Sequence, residues 1–79
     1  MLFPLSEQQK HIFDFIWNFI LQEEYPPNIP EIQKGLRITN PGSVFKVLKA
    51  LEDKGYISRI KNKHRNIRIT EEAEGRYLQ

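Results

Sequence analysis

The stretch Asn40–Gly55, NPGSVFKVLKALEDKG, constrains the fold more than any other part of the chain. Asparagine is a favoured helix N-cap, and proline a favoured first helical residue because its missing N–H is one that a helix start leaves unbonded anyway. Val44, Val47, Leu48 and Leu51 then recur at i, i+3, i+4 and i+7, a single apolar stripe, and Lys54-Gly55 supplies a basic last turn and a glycine stop. The spacing predicts a helix over Pro41–Lys54. With that stripe turned to a core, Gly42, Ser43, Phe45, Lys46 and Lys49 fall on the outer arc. An aromatic ring among lysines suits a face that touches something; the plainer alternative makes Phe45 a peripheral core residue.

The flanking segments supply what this helix packs against. Ser6, followed three residues later by Gln9 and then an apolar run, is a capping box and predicts a helix over Glu7–Glu23, with Ile12, Phe13, Ile16 and Ile20 as its buried stripe. Phe15, Trp17 and Phe19 widen that stripe beyond the roughly 100° a surface helix buries, so the helix is either central or has a second partner. Pro26 and Pro27 break the chain. Asn28 and Glu31 form a second capping box for a short helix over Ile29–Leu36, with Ile32 and Leu36 inward and Gly35 a candidate early stop. After the third helix, Ile57, Ile60, Ile67 and Ile69 flank the polar centre Lys61–Asn66, the pattern of a two-stranded hairpin with a basic tip. Without glycine a tight two-residue turn is disfavoured, and Asn62 or Asn66 is expected in the left-handed region. A fourth helix can start at Thr70, with Glu71 and Glu72 at its positive end, although Gly75 favours fraying into a tail. Three helices, a hairpin, and only about four residues between helices 2 and 3 give the order of a winged helix-turn-helix. The fold class is mainly α with a small β-hairpin, in one domain over residues 1–79 whose segment 70–79 is a short helix or tail.

With 79 residues the chain has room for one modest core, which argues against an active site enclosed between domains. It contains no cysteine, so disulfides, thiolate metal sites and thiol nucleophiles are excluded. The run Ile12–Leu21 is interrupted by Asp14 and Asn18 and falls short of the roughly 20 residues a membrane span requires. It also lacks the flanks of a signal peptide. A cytoplasmic protein without a membrane partner is expected; the negative charge on the aromatic helix would be repelled by anionic lipids. His11 and His64 lie far apart, and neither a phosphate-binding glycine loop nor metal-ligand spacing is present, so no enzyme, no metal and no cofactor is expected.

The net charge of +2 conceals a separation. Between Lys34 and Arg68, ten basic residues stand against Glu52 and Asp53, a local +8, while residues 1–33 carry −4 and residues 69–79 carry −2. Such separation within one small domain fits a basic face presented to a polyanion, double-stranded DNA in a winged helix; an uneven solvated surface is the alternative. Base reading is then assigned to Asn40, Gly42, Ser43, Phe45 and Lys46, with Phe45 suited to a thymine methyl or a sugar and Lys46 to a guanine edge or a phosphate. Contact with the DNA backbone is assigned to Asn28, Thr39, Lys49, Arg59, Lys61, Lys63, His64 and Arg65, with the start of helix 3 contributing amides and hydroxyls where the helix dipole favours anions. His64 also has the plainer reading of a solvated loop residue.

From Ser6 to Thr70 the chain resembles the N-terminal DNA-binding domain of LexA-type repressors: "LSEQQKHIFDFI", "YPPNIPEI", "NPGSVFKVLKALEDKGYI" and "RNIRI" occur in that family's order and spacing. The proline pair, the Glu31-Ile32 step, and Leu48–Leu51 followed by Lys54-Gly55 carry most of the likeness. The resemblance implies a winged helix that binds paired half-sites as a homodimer, at least on DNA, with helix 3 in the major groove and the wing on the backbone or minor groove. It also has departures. The family usually reads bases with polar and acidic residues where this chain has Gly42, Ser43, Phe45 and Lys46, so its operator preference does not carry over. Arg37 stands where a glycine is common, which implies a differently built turn between helices 2 and 3. The family's Ser-Lys self-cleaving second domain has no counterpart in these residues. The tail resembles either the start of the linker to that domain or the strand-to-helix step of compact winged-helix regulators. An initial methionine and the lack of a tag favour a naturally small protein of bacterial, phage or plasmid origin. Trp17 and Phe19 are bulky where the family tends to be polar; with Tyr77 and Leu78 they form a candidate dimer or partner interface, unless they simply enlarge the core. The function expected is a sequence-specific DNA-binding transcription regulator, most simply a repressor. Its rival is a protein-interaction module, an adaptor or anti-repressor working through the aromatic face of helix 1.

Overall fold

The structure, a computed structural model, describes residues 2–77, with Tyr77 lacking a described side chain. Its elements are α1 (Glu7–Glu23), α2 (Ile29–Leu36), α3 (Pro41–Asp53), β1 (Ile57–Arg59), β2 (Ile67–Ile69) and α4 (Glu71–Tyr77). Each of the first three helices begins on the cap expected. Ser6 Oγ accepts from the Gln9 N–H at 3.2 Å while the Ser6 N–H donates to Gln9 Oε1 at 3.0 Å. Asn28 and Glu31 repeat this reciprocal pair at 2.9 and 2.8 Å. At α3, Asn40 Oδ1 accepts from the Gly42 N–H at 2.8 Å, with Pro41 in the first helical position. These bonds satisfy amides that a helix start otherwise leaves open.

Gly35 does not end α2. The helix runs on to Leu36, and Arg37 adopts the left-handed conformation that stops it, at φ 57°. Gly35 serves packing instead: a Cβ there would overlap Cε2 and Cζ of Phe15, so the missing side chain lets α1 and α2 approach. The turn Arg37–Asn40 is braced by Gln33, whose Nε2 donates to the Ile38 and Thr39 carbonyls at 3.3 and 3.2 Å.

The core consists of Ile12, Phe13 and Ile16 from α1, Ile32 from α2, and Val44, Val47, Leu48 and Leu51 from α3, closed by Tyr56, Ile57, Ile67 and Ala73. Tyr56 meets the ring of Phe13 edge-on at a centroid distance of 5.4 Å. Ile20 and Leu36, expected inside, lie partly buried at the margin, as do Phe15 and Trp17. The hairpin is antiparallel, pairing Ile57 with Ile69, Ser58 with Arg68 and Arg59 with Ile67. Its loop closes with the Ile60 N–H donating to the Asn66 carbonyl at 3.0 Å. The left-handed positions in that loop are Asn62 and Arg65 rather than Asn66.

Past the hairpin, Thr70 makes a joint. Its hydroxyl donates to the Gly55 carbonyl at 2.7 Å and accepts from the Ala73 N–H at 3.2 Å, so one side chain ties the stop of α3 to the start of α4. With Ala73 fully buried, α4 continues through Gly75 instead of fraying there. The N-terminal arm is strapped to the other end of the domain by residues that follow α3. The Tyr56 hydroxyl donates to the Phe3 carbonyl at 2.7 Å, and Lys54 Nζ donates to the Pro4 carbonyl at 2.8 Å and to Gln9 Oε1 at 2.6 Å. Among the described residues no helix is long and apolar enough to cross a membrane.

Candidate nucleic-acid interface

Burial of the α3 stripe turns the rest of that helix outward. Phe45 is 51% exposed although it is a large apolar ring, and Gly42, Lys46 and Lys49 are exposed around it. Thr39 and Asn40 are exposed at the helix start, whereas Ser43 is half-buried. Lys46 and Lys49 enter no ion pair among the described residues, so both ammonium groups face water.

A groove of about 330 Å³ runs between α3 and the wing. Phe45 and Leu48 form one wall, Pro27–Pro30 at the start of α2 form the end, and Arg59, Lys63, His64, Arg65 and Asn66 form the opposite wall. Residues from three separated segments, Asn28, Phe45 and the wing loop, thus share one concave face. Lys61 is exposed on the same loop but does not line the groove.

The bases of the positive segment are not equally available. Lys54 is spent on the N-terminal arm, and Arg59 Nε lies 3.5 Å from Glu52 Oε1. Arg68 projects from the outward face of β2 and lines a second, larger cleft of about 670 Å³ on the α1 side of the wing, bounded by Trp17, Ile20 and Leu21 and sharing Lys63, His64 and Arg65 with the first groove. The local +8 is therefore not gathered on one face. Lys46 and Lys49 on α3 and Lys61 and Lys63 on the wing loop remain as exposed cations, of which Lys63 lines the first groove.

Arg65 is the most constrained base. Its Nη1 donates to Glu31 Oε1 at 2.5 Å and to the Pro26 carbonyl at 2.9 Å, and its Nη2 donates to Glu31 Oε2 at 3.1 Å. The guanidinium also lies 4.4 Å from the centroid of the Tyr25 ring, within cation–π range. The hydrogen bond from Arg65, followed by that from the Asn28 N–H, holds the Glu31 carboxyl below the usual carboxylate range, and the same Glu31 bond raises Arg65. Tyr25 meets Phe19 edge-on at 5.7 Å, and Phe19 contacts Phe15 at 6.0 Å. An aromatic row thus leads from the α1–α2 contact to the wing.

Trp17 and Phe19, expected as an interface or as extra core, are both half-buried: Trp17 packs against the core, and Phe19 sits inside the aromatic row. Leu78 and the side chain of Tyr77 lie outside the described residues. Tyr25 and Glu31 escaped assignment to the basic face. Glu31 already had an explanation as a capping residue, and no local pattern links it to an arginine 34 positions away. Among the described residues no group of His, Cys, Asp or Glu could hold a metal ion.

Three helices with a four-residue turn between α2 and α3, followed by a two-stranded hairpin and a short closing helix, define a winged helix-turn-helix domain. The family model described as the LexA DNA binding domain matches residues 3–66, and the chain belongs to that family. It is 46% identical over 65 residues to a LexA repressor of a Roseiflexus species, covering 82% of this chain and 30% of that protein. The LexA repressor of Carboxydothermus hydrogenoformans is 40% identical over 68 residues, 86% of this chain and 33% of that protein. That of Thermotoga maritima is 42% identical over 66 residues, 84% and 33% respectively. The chain spans about a third of the length of the relatives it matches.

Proposed function

We propose that the chain is a sequence-specific, double-stranded DNA-binding transcription regulator that acts as a repressor by occluding a promoter. The observation that carries this reading is the exposed face of α3: a half-exposed Phe45 flanked by the unpaired lysines Lys46 and Lys49, beside a groove whose far wall bears Lys63 and His64. A helix of this kind fits the major groove, with Asn40, Gly42, Ser43, Phe45 and Lys46 near base edges. The start of the helix at Thr39, together with Lys49, Lys61, Lys63 and His64, then lies where phosphates run. Repression is supported by the kinship with proteins named LexA repressors. One exposed helix reads only a short site, so two copies on paired half-sites about one helical turn apart, roughly 10 base pairs, supply the remaining affinity.

Selection of sequences from a randomised duplex pool by the purified chain, at two salt concentrations, tests this reading. Recovery of a palindromic motif with a steep loss of affinity at high salt is the expected result. Recovery of no motif, with only weak and salt-sensitive retention, would remove the sequence-specific reading.

A further inference from the structure

Arg65 is the most fully engaged cation of the wing loop. Both terminal nitrogens of its guanidinium are engaged by Glu31, one of them also by the Pro26 carbonyl, and one face of the plane lies over Tyr25. Three of its five N–H donors are committed, two of them to a bidentate carboxylate, the strongest type of arginine pair, so the side chain is held at α2 whatever the remaining donors meet. Its backbone is also committed: φ is 53°, the left-handed region that costs energy in a residue with a side chain. The partners are themselves fixed. Glu31 is held by the second capping box, and Tyr25 by the edge contact with Phe19. By contrast Lys61, Lys63 and His64, on the same loop, are exposed and enter no ion pair among the described residues.

We infer that Arg65 is a positioning residue, a latch that clamps the wing loop to the start of α2 through Glu31, Tyr25 and Pro26, so that Lys61, Lys63 and His64 face the same partner as α3. The inference rests on the DNA-binding reading for its purpose, but the latch itself is a property of the free protein. The clamp joins two segments that the hairpin alone leaves far apart, and without it the seven-residue loop Ile60–Asn66 is anchored only at its strand ends. The wing then loses a defined distance from Phe45 across the groove. Its cations remain, but they must be ordered on binding, and that ordering costs affinity.

The test compares Arg65→Ala, Glu31→Gln, the double variant and Lys63→Ala. The amide oxygen of a glutamine side chain can still accept from the Asn28 N–H, so Glu31→Gln removes the charge pair and leaves the cap of α2 in place. Thermal unfolding of each variant checks that the domain is folded. Amide hydrogen exchange of residues 60–66 in the free protein is expected to quicken about tenfold in Arg65→Ala and in Glu31→Gln, and no further in the double variant. Binding to a labelled random-sequence duplex is then followed across salt concentration. Arg65→Ala is expected to weaken binding without changing the slope of log affinity against log salt, whereas Lys63→Ala lowers that slope by about 1. A slope in Arg65→Ala reduced as in Lys63→Ala would make Arg65 a phosphate contact and overturn the latch. Wing exchange in Glu31→Gln equal to that of the wild type would overturn it as well. Failure of the wild type to bind any duplex would remove the DNA-binding reading alone, and the exchange rates would still decide the latch.

Discussion

The two regions that flank the groove are built in opposite ways. The outer face of α3 is rigid because of what lies behind it: four buried side chains hold the helix to the core, and its start is capped. Its exposed side chains need no partners of their own to be held in place and make none among the described ion pairs. The wing loop has no such backing. Between Ile60 and Asn66 nothing is buried, two non-glycine residues adopt left-handed backbone, and order comes from one arginine that reaches across to α2. A helix can present residues by burying their neighbours, whereas a loop must hold its own side chains in place with some of the same charges it presents. This is why only part of the wing's positive charge is free.

The sharpest way to break the comparison is to remove the backing of α3. Leu48 is 1% exposed beneath the outer face, and Leu48→Ala should cost about 2–5 kcal/mol through lost burial and a residual cavity. A domain of this size holds only on the order of 4–12 kcal/mol in total, and each kcal/mol moves its melting temperature by roughly 4–8 °C. Calorimetry or circular dichroism should therefore show a fall of more than about 10 °C. Arg65→Ala, by comparison, should lower the melting temperature only slightly, because the pair it removes is partly exposed to water and contributes little to global stability. If the two variants melt alike, the division into a core-backed helix and a latched wing is wrong.

Phe45→Ala comes next in size. Its ring is half exposed, so stability should change by less than about 1 kcal/mol, but affinity for the selected site should drop about tenfold and the preferred sequence should change. Lys63→Ala is the matching change across the groove. It should weaken binding by a smaller factor, alike on every duplex, with the salt slope lower by about 1. Selection and salt titration on both variants separate the two effects. Altered sequence preference in Lys63→Ala, or an unchanged preference in Phe45→Ala, would reverse the roles given to the two walls.

What could be read in the chain before the structure follows the same division. The caps at Ser6, Asn28 and Asn40, the proline at α3 and the Val44–Leu51 stripe are local signals, each set by residues within one or two turns, and all of them hold. The winged helix-turn-helix class followed from their order. Contacts between distant segments were not legible. Arg37, which stands where the resembled family commonly has glycine, itself takes the left-handed conformation with its side chain exposed, and the brace from Gln33 across that turn has no local signal. Gly35 looked like a helix stop because its role in seating Phe15 belongs to a different helix. Lys54, Arg59 and Arg65 counted toward a basic face in the sum of charge, but each is occupied by an acceptor elsewhere in the chain. Charge counting along a sequence gives the number of cations. Only the fold decides how many of them are available.

The smallest effect is also the most direct reading of the latch. Glu31 accepts hydrogen bonds from Arg65 and from the Asn28 N–H, with His64 adding to the positive field, so its carboxyl lies below the ordinary 4.5. In the unfolded chain that carboxyl returns to its ordinary value. The ionised form thus contributes to stability at all pH values above the unfolded pKa, and the contribution is lost as pH falls through the lower, folded pKa. Stability from this pair should be constant from neutral pH down to about the ordinary glutamate range, and should decline only below it. Titration of the Glu31 side-chain carbonyl by NMR should give a midpoint under 4.5 in the wild type. In Arg65→Ala the midpoint should rise toward the ordinary value but remain short of it, because the Asn28 amide still donates. The pair is partly exposed to water, which weakens it, so the shift should be modest and should shrink with added salt. A midpoint that does not move in Arg65→Ala would mean that the carboxylate is held by its cap alone, and the wing would then have no charge anchor on α2.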